Sequence, residues 1–434
     1  MKKNILYMLF AALPIAYGCS DSDEPISRTQ TTITLEYPEG YDDMQVTNER
    51  ITFRNQKSGR YVTVSNLEAG NLPAGLYDCT YSADVTYTVS NDQGESATVR
   101  AHLTGKSENI EITGTAKTIA IEVFVVSENE DFIFEEIFFT GTLRESGSQY
   151  YGDSYVKIYN NTDHVLYADG LVFAESKFKS TQLFEFTPDI RKDTMTIWSM
   201  YVVPGNGTEH PVLPGQSMII CDTGIDHRVA NPNSFDLSSA DFEWYDLSTQ
   251  PAHMDIDSPT VPNMDKWYCY TLSFYLLHNR GFTSFALARI PADIGKEQYL
   301  KDYFYRYSYV QHTQVGDFYM EQEAYKLPNA WIIDGVNCSI EASRLWNILP
   351  PSVDAGWTHC GTIDHDKTRY FKSIRRKMQY LNPDGTMHLQ DTNNSTADFN
   401  TECTPSLVEQ QGTATDAAGT KATTRTYDGV TPIR

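Results

Sequence analysis

The residues best suited to chemistry in this chain are aromatic. From Tyr299 to Tyr325 the sequence is dense in tyrosine, with Phe304 and Phe318 among the rings. Flat rings in such number form either a platform that stacks on a ring-shaped ligand, such as a sugar, a haem or a siderophore, or a packing surface between elements. Trp244 and Tyr245, set between Glu243 and Asp246, read as exposed stacking residues. Trp267, Tyr303 and Tyr307 complete the candidate ligand-binding set. Asp255-Ile256-Asp257 and Asp364-His365-Asp366, with His359 nearby, offer oxygen and imidazole ligands at alternating positions. In so acidic a chain, solvated loops are the simpler reading, and neither a metal nor another cofactor is expected. No EF-hand, P-loop, HExxH or GxSxG pattern occurs. No Asp or His is placed beside a nucleophile as a triad needs, so no catalytic residue is assigned.

The elements that must position these rings are strands. Apolar residues alternate at period two through Ile33, Leu35 and Tyr37, then Ile51 and Phe53, then Tyr61, Val62 and Val64. Asn91 to Gly94 marks a turn, and Ile119 to Val126 a buried strand. Trp267 to Leu277 and Phe282 to Ile290 read as further strands, and Lys296 to Gln311 as a helix carrying Tyr299, Tyr303, Phe304, Tyr307 and Val310. The fold class is therefore mostly β. The formal charge of −23, from 57 acidic against 34 basic residues, repels phosphate backbones, so nucleic acid is not an expected partner. The one basic cluster, Lys372, Arg375, Arg376 and Lys377, reads as a charged edge strand that resists aggregation. Six cysteines, at 79, 221, 269, 338, 360 and 403, have no zinc-site spacing, and the sequence does not select a disulfide pairing among them.

The N-terminus carries an address. Lys2 and Lys3 precede an apolar segment, Ile5 to Tyr17, of signal-peptide length and too short to span a bilayer. Ala16, Tyr17 and Gly18 lead into Cys19. This resembles the relaxed lipobox of bacterial lipoproteins, which implies cleavage before Cys19 and acylation of its thiol. Ser20, Asp21, Ser22, Asp23 and Glu24 are similar to the export tag of Bacteroidota-type surface lipoproteins. The resemblance implies a signal peptide over 1–18 and an acidic tether over 19–30. It also implies an outer-membrane location, lipid-anchored through Cys19 and facing the cell exterior.

Two domain patterns follow. Asn71-Leu72-Pro73-Ala74-Gly75-Leu76-Tyr77 resembles the turn of transthyretin-like and carboxypeptidase-regulatory-like β-sandwiches, which implies such a module over 31–127. Farther on come Phe134-Glu135-Glu136-Ile137, Asp153 to Thr162, Ala168 to Phe173 and Leu213 to Ile220. They are followed by Ala330 to Val336, Lys372 to Lys377 and Asp391 to Phe399. In this order they resemble the lamin-tail domain, an immunoglobulin-like β-sandwich, with Lys157 where that family usually has glutamate. The resemblance implies a second sandwich over 132–405. Residues 222–329, which the pattern leaves unexplained, read as a large mixed α/β insertion outside the sandwich, and 410–434 as a flexible tail.

Together these features point to a non-catalytic surface lipoprotein of an uncharacterised family. Resemblance to other lipoproteins of those bacteria implies nutrient capture beside a TonB-dependent transporter, with an iron-siderophore, haem or glycan as ligand. A structural or adhesive surface protein is the alternative, and a secreted hydrolase a further one. Because a single thiol carries the acyl chains, Cys19→Ala is expected to release the protein from the membrane fraction. Unchanged membrane association on fractionation would refute the anchor.

Overall fold

Alternation at period two becomes a long, one-sided sheet in the first part of the chain. The computed structural model describes residues 4–7, 28–38, 40–65, 72–248, 254–271 and 274–412; Cys19 and the tag at 20–24 lie outside the described residues. The chain divides into two compact units, Met1–Val89 with Ala97–Glu128, and Ser90–Ser96 with Asn129–Arg434. The first contains β1 (Thr31–Glu36), β2 (Asp42–Asn55), β3 (Tyr61–Ser65), β4 (Gly75–Ser90), β5 (Ser96–Ile112) and β6 (Lys117–Ser127). They join as β1-β6-β5-β4-β2-β3, with Asn4–Tyr7 paired outside β1. β1 runs parallel to β6. Every second residue of β4 from Tyr77 to Val89 is buried, as are Val99, Ala101 and Leu103 on β5 and Ile119 to Val125 at alternate positions on β6. The strands follow one neighbour path, and β6 changes partner along its length: residues 117–122 pair with β1 and residues 123–127 with β5. The long strands, 16 residues in β4 and 17 in β5, far exceed the usual strand of about 5–6 residues. Register shifts in β2, between Asp42 and Gln45 and between Thr47 and Arg50, are the bulges that let such strands bend.

The second unit is built from two sheets around a shared core. One sheet runs β12-β11-β8-β7-β18-β19, formed by β7 (Ile133–Phe138), β8 (Tyr155–Tyr159), β11 (Ser217–Cys221), β12 (Phe242–Glu243), β18 (Ser373–Arg376) and β19 (Phe399–Cys403). The other runs β15-β16-β10-β9-β14-β17, formed by β9 (Leu171–Ser176), β10 (Thr194–Val202), β14 (Ser284–Arg289), β15 (Phe304–Thr313), β16 (Gly316–Pro328) and β17 (Ile332–Asn337). β13 (Asp265–Cys269) also pairs with β10. Phe134, Ile158, Ile220 and Ile374 from the first sheet meet Phe173, Tyr201, Phe285 and Val336 from the second in one apolar cluster. The opposite face of the second sheet is buried too: Ala174, Ile197 and Ala288 pack under Tyr299, Tyr305 and Trp346. Burial on both faces explains why these strands read as apolar runs without alternation.

Several expectations are corrected by this arrangement. Residues 222–329 are no separable insertion, because β14 lies between β9 and β17 in the second sheet and removing it would split that sheet. The helix expected over Lys296 to Gln311 ends early: α1 spans Lys296–Asp302, and β15 begins at Phe304. Tyr299 and Tyr303 share a helical spacing, but Tyr305, Tyr307 and Tyr309 alternate at period two and obey the sheet. The strand expected from Trp267 to Leu277 is confined to β13. The basic cluster is no edge strand, since β18 lies between β7 and β19. Each of its cations is held internally, by Glu402 for Lys372, Glu409 for Arg375 and the Ala397 carbonyl for Lys377. A helix, Ser406–Gln411, extends the packed unit beyond 405 and buries Leu407 and Val408; residues 413–434 lie outside the described residues. All six described cysteines are free and buried.

The fourth cation of that cluster organises the others. The Arg376 side chain is 1% exposed and pairs with Asp334 at 2.6 Å, Asp391 at 3.2 Å and Asp398 at 3.7 Å. Its Nε donates to the Phe134 carbonyl, and the guanidinium lies 4.6 Å from the centre of the Phe399 ring. Asp398 also accepts from the Thr392 amide and hydroxyl, while Asn394 caps the Ser395–Asp398 turn by accepting from Thr396 and Ala397. Lys157 finds its partner in Glu135, 2.8 Å away and equally buried.

Two stability predictions follow from these contacts. Phe399, 3% exposed, fills the shared core beneath Arg376, so Phe399→Ala should cost roughly 3–5 kcal/mol in urea unfolding; a cost below about 1 kcal/mol would contradict the packing. On β9, Glu175 is buried and accepts from Tyr275 Oη (2.5 Å), Thr283 Oγ1 (2.6 Å) and the His278 amide (3.1 Å). Burial nevertheless pushes its carboxyl from 4.5 up to about 7. Between those values the folded state keeps a proton that the unfolded chain has lost, so stability falls as pH rises through the window. The full effect is about 3 kcal/mol, from 1.36 kcal/mol per pKa unit. Glu175→Gln should lose less stability than the parent between pH 4 and pH 8, and identical pH slopes would refute the assignment.

Candidate functional site

The aromatic residues singled out from the sequence do not form one surface. Trp244 is fully buried and stacks on Phe173 with ring centres 5.6 Å apart. Its charged neighbours misled the reading, because they are buried as well. Glu243 accepts from the Gly224 and Ser258 amides, and Asp246 accepts from Tyr201 Oη and pairs with Lys266 at 2.7 Å. Tyr245 is half-buried next to it. Trp267 packs beside Tyr299 (5.7 Å), and Tyr303 stacks between Tyr299 (5.3 Å) and Trp331 (4.8 Å). These rings seat α1 on the second sheet. Tyr159, in the strand that resembles the lamin-tail pattern, is fully buried and donates to the Met387 carbonyl. The two recesses described below do not include Tyr159 or Trp331 in their walls.

Tyr307 leads to an open recess. It belongs to a groove of about 170 Å³ between the segment after β9, the start of β15 and the end of β13. Phe178 and Phe186 stack at 4.1 Å and meet Tyr307 edge-on, at 5.4 and 5.5 Å, to make the floor. Trp198 and Tyr270, stacked at 4.2 Å, form one wall, and Phe184 with Tyr309 at 4.4 Å another. The elements are tied at the backbone: Thr187 and Ser308 exchange hydrogen bonds, and the Tyr270 amide donates to the Trp198 carbonyl. Tyr270 is 48% exposed, so its ring is available to a ligand.

Lys177 gives this groove a charge. Its Nζ donates to the Glu323 carbonyl at 2.7 Å and lies 4.7 Å from the Tyr270 ring centre and 5.7 Å from that of Tyr307. Burial pushes the ammonium down to about 8, opposed by Glu323. A desolvated cation over ring faces, with stacking partners on two sides, suits a ring-bearing ligand with an electron-rich or acidic edge. Lys179, in the same wall, is pushed below the ordinary lysine range by burial and then by Arg280.

The acidic and imidazole patterns are spent on architecture. Asp255 accepts from the Asp246 and Ile256 amides, and Asp257 from Asn263. Asp364 holds Arg280 at 2.7 Å, and Asp366 caps the turn Lys367–Arg369. His359 is half-buried, 4.0 Å from Glu402. Among the described residues, Asp169, Glu209 and His210 place one ligand atom each within 4.8 Å of one another. The Asp169 carboxylate, however, already accepts from the Gly207, Glu209 and His210 amides and anchors that loop. His227 accepts from Tyr150 Oη through Nδ1 (2.9 Å), because its Nε2 must donate to the Thr223 carbonyl (2.8 Å).

The sequence reading missed Lys177, Phe178, Phe184, Phe186, Trp198 and Tyr270. Their signal was present in the aromatic and lysine alternation of Phe178-Lys179 and Phe184-Glu185-Phe186. What the sequence did not supply was the pairing that brings β10, β13 and β15 together around them.

Residues 213–406 match a family described as "Protein of unknown function (DUF4876)". No curated protein matches the chain. Among solved structures, the fold is similar to that of a DUF4876 family protein from Bacteroides thetaiotaomicron, with a TM-score of 0.55 and 22% sequence identity. The likeness covers 86% of this chain and 95% of that one. The chain thus shares its mostly β fold with a Bacteroides protein and is similar, over 213–406, to an uncharacterised family.

Proposed function

We propose that this chain is a non-catalytic, ligand-binding lipoprotein of the bacterial outer surface, anchored through Cys19. In this reading it captures a ring-bearing nutrient, such as a glycan, a haem or an iron-siderophore, for a TonB-dependent transporter. The observation that supports binding is the groove in which Lys177 lies over Tyr270 and Tyr307, between the Trp198–Tyr270 and Phe184–Tyr309 pairs. Buried residues set its shape in advance, so a ligand would not have to order it, which favours affinity. The likeness to a Bacteroides structure supports the lineage on which the surface location rests. The second unit is read as lamin-tail-like because three segments of that pattern, around Asp334, Arg376 and Asp391–Asp398, meet in one ion network. The first unit, with its Leu72-Pro73 turn into β4, is read as transthyretin-like.

Trp198 reports on this groove. Titration of the full chain with haemin, a ferric siderophore and an oligosaccharide panel should quench its fluorescence for one ligand class. Tyr270→Ala should weaken that binding about tenfold, or ~1.4 kcal/mol, with the melting temperature retained. Absence of binding by all three probes would favour a structural or adhesive surface protein.

A further inference from the structure

A second recess is larger than the groove and is lined by guanidinium and imidazole groups in place of stacked rings. It encloses about 390 Å³, within the range of small-molecule sites. Arg280, Arg369, His278 and His365 line it, and its walls contain no aspartate or glutamate. Asp364, just outside these walls, pairs with Arg280 at 2.7 Å and lies 3.7 Å from His365, so the cation left without a carboxylate is Arg369.

Arg369 is therefore the charge that matters in this cleft. It is 6% exposed, yet its three hydrogen bonds go to neutral acceptors. Nε donates to the Asn279 carbonyl (2.8 Å), Nη1 to the Asp366 carbonyl (2.6 Å) and Nη2 to Tyr370 Oη (2.8 Å). No ion pair holds it among the described residues, in contrast to Arg375 and Arg376 in the same unit. A guanidinium has five N–H donors, so two remain, and a buried cation without a counter-charge is costly. The surroundings add donors. Tyr370 Oη donates to Gln149 Oε1 (3.3 Å), which leaves the Gln149 amide N–H groups for a ligand. His278 Nδ1 accepts from the Phe282 amide (3.4 Å), so the neutral ring carries its proton on Nε2. Burial, Lys179 and Arg280 hold that ring neutral, pushing it down to about 3.

We infer that this cleft binds a small molecule through an oxyanion group, a carboxylate, sulfate or phosphate, with Arg369 as the charge that receives it and His278 and Gln149 as neutral donors. The site is separate from the aromatic groove and does not depend on the reading of that groove. Planar, bidentate recognition of an oxyanion is the task for which a guanidinium is best shaped.

The test is calorimetric titration of the full chain at low salt with glucuronate, inorganic sulfate and inorganic phosphate, with glucose as the neutral control. Saturable binding of at least one anion and none of glucose is expected. Glucuronate tighter than the inorganic ions would place the group on a sugar; equal or weaker glucuronate would assign the site to the free oxyanion. Tyr151 lines the same cleft and is 57% exposed, so Tyr151→Glu adds a negative charge at the mouth without disturbing the core. It should weaken binding at least tenfold, as should Arg369→Gln, with circular dichroism confirming that both variants are folded. The inference is overturned if no anion binds up to 10 mM, if glucose binds equally, or if the folded Tyr151→Glu variant binds as the parent does.

Discussion

The second unit depends on one buried guanidinium. Arg376 accounts for Asp334 at the end of the second sheet, Asp391 and Asp398 in the loop before β19, and the Phe134 carbonyl on β7. It therefore joins both sheets and the loop that closes them. Removing one partner of such a network is far costlier than replacing the whole with apolar groups, because the remaining charges stay buried. The carboxylates show the crowding: burial pushes Asp334 up to about 7 and Asp398 up to about 6, in spite of the arginine. The arrangement therefore specifies which loop meets which strand more than it adds net stability.

With the sheets fixed, the outer face of the second sheet decides where recesses form. α1 covers it with Tyr299, beside Tyr305 and Leu327 from the sheet's own β15 and β16. Where this cover ends, beside Lys177 and Trp198, rings are left half-exposed, and the groove is what remains. Close packing elsewhere makes the recess rigid. The many tyrosines of 299–325 thus divide by position: the first ones seat the helix, alternate ones build the floor, and Tyr319, 66% exposed, lies near the hairpin end.

The strand and turn segments were legible because their physics is local. Alternation located β1, β2 and β3, and the segments that hold Arg376 could be read from Asp, Asn and Thr clusters that bond their own turns. The aromatic site was only partly legible. Tyr307 was found, but Trp244 was taken as exposed because Glu243 and Asp246 flank it, and charged residues are seldom buried unless paired. Here both are satisfied internally, by backbone amides in one case and by Tyr201 and Lys266 in the other. Trp198, Tyr270 and Arg369 belong to contacts between distant segments, and no periodicity within any one of them announces the partner.

Glu175 ties the two recesses together. It precedes Lys177 by two residues on the strand entering the groove, and it accepts the amide of His278, which lines the cleft. Were it ionised, its charge would lie close to Lys179, whose influence it feels, and would reduce the positive potential shared by Lys179 and Arg280. Burial instead raises its carboxyl, which leaves Asp364, paired with Arg280, as the carboxylate that opposes this potential. An acidic chain can in this way lower the negative potential at one place by neutralising an interior carboxyl, without adding a surface cation. Long-range repulsion from the remaining carboxylates is weakened by salt beyond about 8–10 Å, while the buried guanidinium acts at contact distance, where screening is least.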